Sequence, residues 1–157
     1  MRVITGTARG RRLKELEGQE TRPTTDRVKE GMFSALQFEL EGRKVLDLFA
    51  GTGQLGIEAL SRGAAAATFV ERRADAVRLI RENLKRTKFT DRAKVIRGDY
   101  LQFLRTTGEK FDIILLDPPY AEVFLENCLN LITEIDILQS GGIIVTERPV
   151  EKELSMN

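Results

Sequence analysis

The chain has 157 residues, 41% of them hydrophobic and 31% charged, which is enough for one domain whose core needs neither a disulfide nor a metal. Its 25 basic and 24 acidic residues give a net charge of +1, with one cysteine and no histidine. The lack of histidine excludes Ser-His and Cys-His hydrolase mechanisms and most transition-metal sites. A single cysteine and the absence of a signal region or membrane span favour a soluble protein of the reducing cytoplasm.

The first residues of the chain form a basic arm. Five of the 25 basic residues lie within residues 1–14, which contain no acid, so the rest of the chain carries 20 basic against 24 acidic residues. Such an arm is expected to meet phosphates. We therefore divide the chain into an arm at 1–21, whose segments 2–5 and 12–16 could pair as a short hairpin, and a single domain at 22–157.

Beyond the arm, apolar spacing predicts an amphipathic helix that begins near Asp26 and continues to about Gly42. Strands are then predicted at 45–49, 68–70, 94–97, 111–116 and, after a Gly141-Gly142 turn, 143–147. Helices are predicted between them, at 54–61, 75–86, 100–105 and 124–135. Strands separated by helices indicate right-handed crossovers and a doubly wound parallel α/β sheet.

A glycine-rich loop follows the first predicted strand. Residues 51–56 match the fingerprint G-x-G-x-x-G, and Glu71 lies about 20 residues further on, where a ribose ligand is expected. The glycines permit a tight turn, and the following helix offers unpaired N–H groups to a ligand. Taken alone, this loop does not separate NAD from another adenosine cofactor.

Acidic residues at successive strand ends narrow the choice of cofactor. Glu71 follows the second strand and can accept both ribose hydroxyls, while Asp99 follows the third and can accept the adenine amino group. Asp47, in the first strand, would lie near the methionyl ammonium. Three acids suit the sulfonium of S-adenosylmethionine, whereas a pyrophosphate would prefer fewer.

The fourth predicted strand ends in Asp117-Pro118-Pro119-Tyr120, at the edge where an open α/β sheet binds ligands. The Asp117 carboxylate and the Pro118 carbonyl can accept the hydrogens of an exocyclic amino group, and the prolines hold both acceptors rigidly. Tyr120 can stack on the base. If the first helix runs antiparallel to the first strand, 22–27 lie on the same rim as 51–53 and 117–120.

The glycine loop, Glu71, Asp99 and the Asp-Pro-Pro-Tyr tetrad, in this order, resemble class I methyltransferases that modify exocyclic amino groups of nucleobases. With Arg22-Pro23-Thr24-Thr25-Asp26-Arg27-Val28-Lys29-Glu30 and the arm segment 6–13, the chain is similar to the bacterial 16S ribosomal RNA guanine-N2 methyltransferase D family. The likeness extends from Arg2 to about Pro149.

The resemblance implies a Rossmann-like class I fold and methyl transfer from S-adenosylmethionine to the N2 amino group of a guanine, leaving S-adenosylhomocysteine and needing no metal. The implied partner is 16S ribosomal RNA, the small subunit or an assembly intermediate, with no membrane contact and a monomer at full length. The expected catalytic residues are Asp117, Pro118, Pro119 and Tyr120. The expected cofactor residues are Asp47, Phe49, Ala50, Gly51, Gly53, Glu71, Arg72, Asp99, Tyr100 and Asp117. The expected RNA-binding residues are Arg9, Arg11, Arg12, Arg22, Thr24 and Arg27.

The sequence departs from this pattern at its C-terminal end. Class I methyltransferases normally add two more strands, but this chain stops ten residues after Glu147. We therefore expect an incomplete domain of strand order 3-2-1-4-5, whose fifth strand is an edge with apolar surface that favours association.

Two other functions stay open at this point. The tetrad is shared with DNA adenine-N6 methyltransferases, although no added target-recognition domain is visible. A non-catalytic RNA-binding or ribosome-assembly module that retains a cofactor fold is the second alternative.

Overall fold

The computed structural model describes residues 1–16, 26–118 and 122–146, with the backbone alone for 122–124. The strands are β1 (Lys44–Asp47), β2 (Ala66–Glu71), β3 (Ala93–Arg97), β4 (Phe111–Leu115) and β5 (Leu138–Val145). The helices are α1 (Asp26–Ser34), α2 (Gln54–Ser61), α3 (Ala74–Thr87), α4 (Tyr100–Thr106) and α5 (Glu122–Ile135), with a 3-10 turn at Thr90–Arg92.

The five strands form one parallel sheet in the order β3-β2-β1-β4-β5. The predicted Rossmann-like fold and the 3-2-1-4-5 order are therefore confirmed. Val45 of the central strand pairs with Ala67 on one side and Ile113 on the other. This register brings the carboxyl ends of β1, β2 and β4 to one edge of the sheet, where the glycine loop and Asp117 follow.

The molecule has three layers, with the sheet in the middle and a hydrophobic core on each face of the sheet. The helices α1, α2 and α3 cover one face of the sheet, where Phe33, Ile57 and Ile80 are fully buried. Helices α4 and α5 cover the other face, with Leu104 and Ile132 in its core. None of the described helices is long and apolar enough to cross a membrane.

The first helix is shorter than its apolar spacing predicts, because α1 ends at Ser34 and not near Gly42. The chain continues through tight turns, with backbone hydrogen bonds from Leu36 N to Phe33 O (3.0 Å) and from Glu39 N to Leu36 O (2.9 Å). Leu36 and Leu40 are nevertheless buried in the first core. Successive turns return these side chains to the same side as a helix would, so the apolar pattern does not distinguish the two conformations.

The last strand also differs from its prediction. β5 begins at Leu138, so the Gly141-Gly142 pair lies inside the strand and not before it. Its register against β4 shifts between the pairs Phe111–Leu138 and Ile113–Ile143, and Gly141 has a φ of 78°. The irregular strand pairing accommodates the glycine pair within β5. The strand ends at Val145, short of the predicted end at Glu147, which itself lies outside the described residues.

β5 is an edge of the described sheet, as expected. Its residues Ile143 and Ile144 are half-buried. Among the described residues, the large apolar side chain that is exposed is Phe38, which lies in the turns after α1 and not in β5. Association through surface beside β5 stays a prediction.

The arm packs against the first face of the sheet. Arg2 and Arg12 form an antiparallel bridge, supported by Val3 N to Arg11 O (3.0 Å) and Leu13 N to Met1 O (2.9 Å). The predicted hairpin is thus present as one short bridge. Val3, Ala8 and Leu13 are buried in the first core, so the arm lies on the body of the domain.

Candidate active site

The glycine loop is held in a conformation that its glycines make possible. Gly51 and Gly53 have φ values of 58° and 86°, in the left-handed region that favours glycine. Gly53 precedes the first residue of α2, and a Cβ there would lie 3.3 Å from Ile80 of α3. The loop therefore packs closely on α3 and presents the N-terminus of α2 at the carboxyl edge of the sheet.

Glu71, at the end of β2, holds the loop from the side. Its Oε1 accepts a hydrogen bond from Gly51 N (2.9 Å) and its Oε2 accepts one from Arg73 N (3.0 Å). A carboxylate offers about four acceptor positions, so two positions are left for hydroxyl donors. The residue expected to bind the ribose is thus fixed in orientation while it keeps acceptor capacity.

Asp47 lies beneath the loop, only 1% exposed. Its Oδ2 accepts a hydrogen bond from Gly56 N (3.0 Å), which joins the end of β1 to the first turn of α2. Burial raises the pKa of Asp47 to about 7; the Gly56 hydrogen bond opposes this shift, and the charges of Asp117 and Glu71 add to it. The carboxylates that follow β4 and end β2 therefore both disfavour the ionised form of Asp47 at the end of β1.

Asp99 and Tyr100 lie at the far end of the candidate site. Asp99 caps α4, its Oδ2 accepting from Leu101 N (3.0 Å) and Gln102 N (3.4 Å), while Oδ1 makes no hydrogen bond to any residue the structure describes. The Tyr100 ring lies 5.1 Å from that of Phe49, which follows β1. A groove of about 410 Å³ opens beside Asp99 and continues along β3 and α4 to Glu109, so only its Asp99 end belongs to this site.

The structure brings most of the expected cofactor residues together. Ala50 N donates to Val70 O (3.1 Å), which joins the loop to β2, and Arg72 is exposed next to Glu71. Asp117 and the buried Pro118 follow β4 after one residue, Leu116. Pro119 and Tyr120 lie outside the described residues. Among the described residues, no group of acidic residues and cysteine could hold a metal ion.

The expected RNA-binding residues are divided between two segments. Arg9, Arg11 and Arg12 are exposed on the arm, and Arg27 is exposed in the first turn of α1. Arg11 donates to Arg86 O of α3 (2.8 Å). Arg22 and Thr24 lie outside the described residues.

Known proteins match almost the whole chain. The family model described as conserved hypothetical protein 95 matches residues 1–157. The "Ribosomal RNA small subunit methyltransferase D" proteins of Escherichia coli K12 and Haemophilus influenzae are 39% and 37% identical, over 98% of this chain and 77% and 81% of their own lengths. The chain belongs to the small-subunit methyltransferase D family.

Further relatives agree with this assignment. The protein YlbH of Bacillus subtilis, provisionally named an rRNA methyltransferase, is 45% identical over 98% of this chain and 85% of its own length. The solved structure of yhhF from Escherichia coli, provisionally titled a methyltransferase, has a TM-score of 0.83 and 34% identity, covering 93% of this chain and 78% of its own. The predicted family is confirmed, and so is a methyltransferase fold.

Several polar residues that shape the site of this family member were not singled out from the sequence. Asn83 of α3 is fully buried and donates to Thr52 O of the glycine loop (3.1 Å), while it also exchanges hydrogen bonds with the backbone of Lys14. Glu58 of α2 is also fully buried and binds the arm. The sequence pattern could have indicated both residues, since each is a polar residue at an inward position of an amphipathic helix.

Gln54, the first residue of α2, is a third such residue. It is 7% exposed, and its Oε1 has no hydrogen-bond partner within the described part of the chain. Buried polar atoms normally have a partner, so this oxygen beside the glycine loop is a candidate ligand contact.

Proposed function

We propose that the chain transfers a methyl group from S-adenosylmethionine to the exocyclic N2 amino group of a guanine in 16S ribosomal RNA. The observation that carries the proposal is the meeting of Asp47, Glu71 and Asp117 around a glycine loop at one edge of the sheet. Negative charge gathered at a partly dry site favours a cationic ligand such as a sulfonium. The names of the relatives support ribosomal RNA as the substrate class.

The residues present fit this cofactor. Glu71 has two acceptor positions left for the ribose hydroxyls, and Oδ1 of Asp99 is available for the adenine amino group. Phe49, Ala50, Arg72 and Tyr100 would flank the adenosine, and Gly51 and Gly53 would let the backbone approach it. When bound, S-adenosylmethionine supplies a methyl group that a nitrogen nucleophile can displace from sulfur.

The tetrad at the end of β4 would position the amino group. The lone pair of an exocyclic nitrogen is delocalised into the base, so the nitrogen must become pyramidal before it can attack. The Asp117 carboxylate and the Pro118 carbonyl would accept its two hydrogens and favour that geometry, and Asp117 can take up the proton that the nitrogen loses. Pro119 would keep the loop rigid and Tyr120 would stack on the base. Positioning supplies most of the rate.

The arm and α1 would hold the RNA. Arg9, Arg11 and Arg12 on the arm and Arg27 on α1 are exposed, and exposed arginines bind phosphate oxygens in bidentate geometry. Arg22 and Thr24 are proposed to add to this contact. The proposed substrate is 16S RNA as such, the small subunit or an assembly intermediate.

The test is methyl transfer to 16S RNA and to small subunits that lack the modification, with the product nucleosides identified by mass spectrometry. Wild-type protein should yield N2-methylguanosine, and Asp117→Ala should lower the initial rate by about a hundredfold or more, because a mispositioned amino group reacts slowly. Asp91→Ala, which removes an exposed carboxylate from the 3-10 turn, is the matched control and should leave the rate unchanged.

Other products would contradict the proposal in distinct ways. N6-methyladenine in DNA would favour the adenine methyltransferase, and RNA binding without any methyl transfer would favour the non-catalytic module. Calorimetric titration with S-adenosylmethionine, run on both variants, separates loss of cofactor binding from loss of chemistry.

A further inference from the structure

The outer face of α3 and the residues around it are strongly basic. Residues 72–88 contain seven basic and two acidic residues. The inward positions of the helix hold buried side chains such as Val77, Ile80 and Leu84, so the charged residues are left on the solvent side. The exposed basic residues here are Arg72, Arg78, Arg81, Lys85, Arg86 and Lys88.

Four of these cations form one stripe. Arg78, Arg81 and Lys85 are spaced at i, i+3 and i+7, and Lys88 follows at the end of the helix, so the stripe extends for about 15 Å at 1.5 Å per residue. We call these four residues the α3 stripe. None of the four forms an ion pair or side-chain hydrogen bond with any residue the structure describes.

The two acids of this region do not neutralise the stripe. Asp75 is paired with Arg73 (2.8 Å), and Glu82 is paired with Lys14 of the arm (3.0 Å). Salt bridges to other cations therefore occupy both carboxylates. The positive charge of the stripe is therefore available to bind a negatively charged partner.

The stripe adjoins the arm and the candidate active site. Arg11 donates to Arg86 O (2.8 Å), and Asn83 binds Lys14 N (2.7 Å) and Lys14 O (3.1 Å), which fixes the arm along α3. Helix α3 begins three residues after Glu71, at the carboxyl edge of the sheet. The basic surface therefore starts at the rim of the site and leads away from it.

We propose that the α3 stripe binds phosphates of the RNA that flanks the target nucleotide, as a docking surface separate from the pocket where methyl transfer would occur. This inference rests on the proposed function for RNA as the substrate. Evenly spaced, unpaired cations suit a phosphate backbone. Protein interfaces instead centre on buried aromatic or aliphatic anchors, and the stripe has none, which favours RNA over an acidic protein.

The experiment compares two triple variants of equal charge change. Arg78→Gln/Arg81→Gln/Lys85→Gln removes three cations from the stripe. Lys94→Gln/Arg105→Gln/Lys110→Gln removes three exposed cations from β3, from α4 and from the position just before β4. The affinity for in vitro transcribed 16S RNA is measured at several salt concentrations. Each lost phosphate contact lowers the slope of log K against log salt by about 0.7 to 0.9, so the stripe variant should lose about 2 to 3.

The control variant should keep the wild-type slope, and the affinity of both variants for S-adenosylmethionine should be unchanged. Equal slopes for the two triple variants would overturn the proposal and leave an acidic protein as the candidate partner. Methyl transfer by the wild type is recorded with the same RNA. If the stripe variant shows the expected lower slope but the wild type methylates no guanine, the proposed function fails while the docking surface stands.

Discussion

Asp47 shows how one residue of the site depends on residues far along the chain. Its carboxyl is buried, and burial is the main reason that its pKa is raised to about 7. Repulsion from the charges of Asp117 and Glu71 adds to the rise. The hydrogen bond from Gly56 N opposes this rise. Near neutral pH the carboxyl is therefore close to its titration midpoint, so its charge responds to nearby cations.

This titration predicts a pH dependence of stability. Asp47 loses its proton near pH 4 in the unfolded chain but near pH 7 in the native state, so the native state binds more protons between these values and loses stability as pH rises. The loss is on the order of 4 kcal/mol and is complete above pH 7. Asp47→Asn cannot titrate, so urea unfolding at pH 5 and pH 8 should show a smaller loss of stability than in wild type.

Asp91→Asn is the control for this measurement, because the Asp91 side chain is exposed. Its stability should follow pH as the wild type does. Identical pH dependence in wild type and Asp47→Asn would show that Asp47 is ionised throughout the range.

At the scale of elements, α2 and β2 approach each other closely at Gly56. A Cβ at this position would lie 2.3 Å from Cε2 and 2.7 Å from Cζ of Phe69, which is fully buried. The third glycine of the loop fingerprint is thus needed for helix-sheet packing. Gly56→Ala should lower the free energy of unfolding by about 1 to 3 kcal/mol, as overpacking of a core does.

Two further variants test whether that loss comes from the clash. Gly31 lies inside α1, where a Cβ would meet nothing within 4 Å, so Gly31→Ala should stabilise the protein by about 0.5 to 1 kcal/mol. Phe69→Leu should recover part of the stability that Gly56→Ala loses, by making room for the methyl group. No interaction between the two substitutions in a double-mutant cycle would rule out the clash.

The elements that sequence analysis predicts well are those whose periodicity is set by burial. Helix α2 has the predicted bounds, and the sheet order follows from the alternation of strands and helices. The end of α1 at Ser34 was not predictable from apolar spacing, since turns bury Leu36 and Leu40 equally well. The place of Gly141 inside β5 depends on register against β4, which no local pattern contains.

The candidate site divides in the same way. The positions of Glu71 and Asp99 were predictable because parallel strands end at one edge of the sheet, while their binding of a cofactor stays a prediction. The contacts of Asn83 and Glu58 were not, because they join distant segments: Asn83 lies 69 residues from Lys14 and 31 from Thr52, and Glu58 lies 54 residues from Ile4. The basic excess of the α3 stripe was present in the sequence, since residues 72–88 hold seven basic and two acidic residues. It is concealed only when the arm is compared with all remaining residues together, because these carry 20 basic against 24 acidic residues.

At the scale of the whole molecule, one buried charge cluster joins the arm, α1 and α2. Glu58 is fully buried and accepts hydrogen bonds from Ile4 N (2.9 Å), Thr5 N (3.0 Å) and Arg62 Nε (2.8 Å). The Lys29 ammonium of α1, also fully buried, lies 3.6 Å from Glu58 Oε1 and donates to Arg2 O (2.8 Å). Burial lowers the pKa of Lys29, and the charge of Glu58 opposes that shift.

The cluster predicts that the arm and the body of the domain unfold together. Glu58→Ala leaves the Lys29 charge buried without its carboxylate and leaves two arm N–H groups without an acceptor, so stability should fall by about 3 to 5 kcal/mol. Lys110→Met removes an exposed cation paired with Asp136 at 3.1 Å and should cost less than about 1 kcal/mol. Chemical denaturation measures both losses.

Amide hydrogen exchange distinguishes a local effect from a cooperative one. If Glu58 is the joint between arm and body, Glu58→Ala should speed exchange at Ile4 and Thr5 and also in α2. Lys29→Met/Glu58→Leu should restore the part of the stability that the unpaired Lys29 charge costs, while Ile4 N and Thr5 N still lack their acceptor. Faster exchange confined to the arm, with unchanged global stability, would mean that the arm folds on an already complete domain. The arm arginines that we propose to bind RNA would then be held by a separable segment, and their order would not depend on the helix that follows the glycine loop.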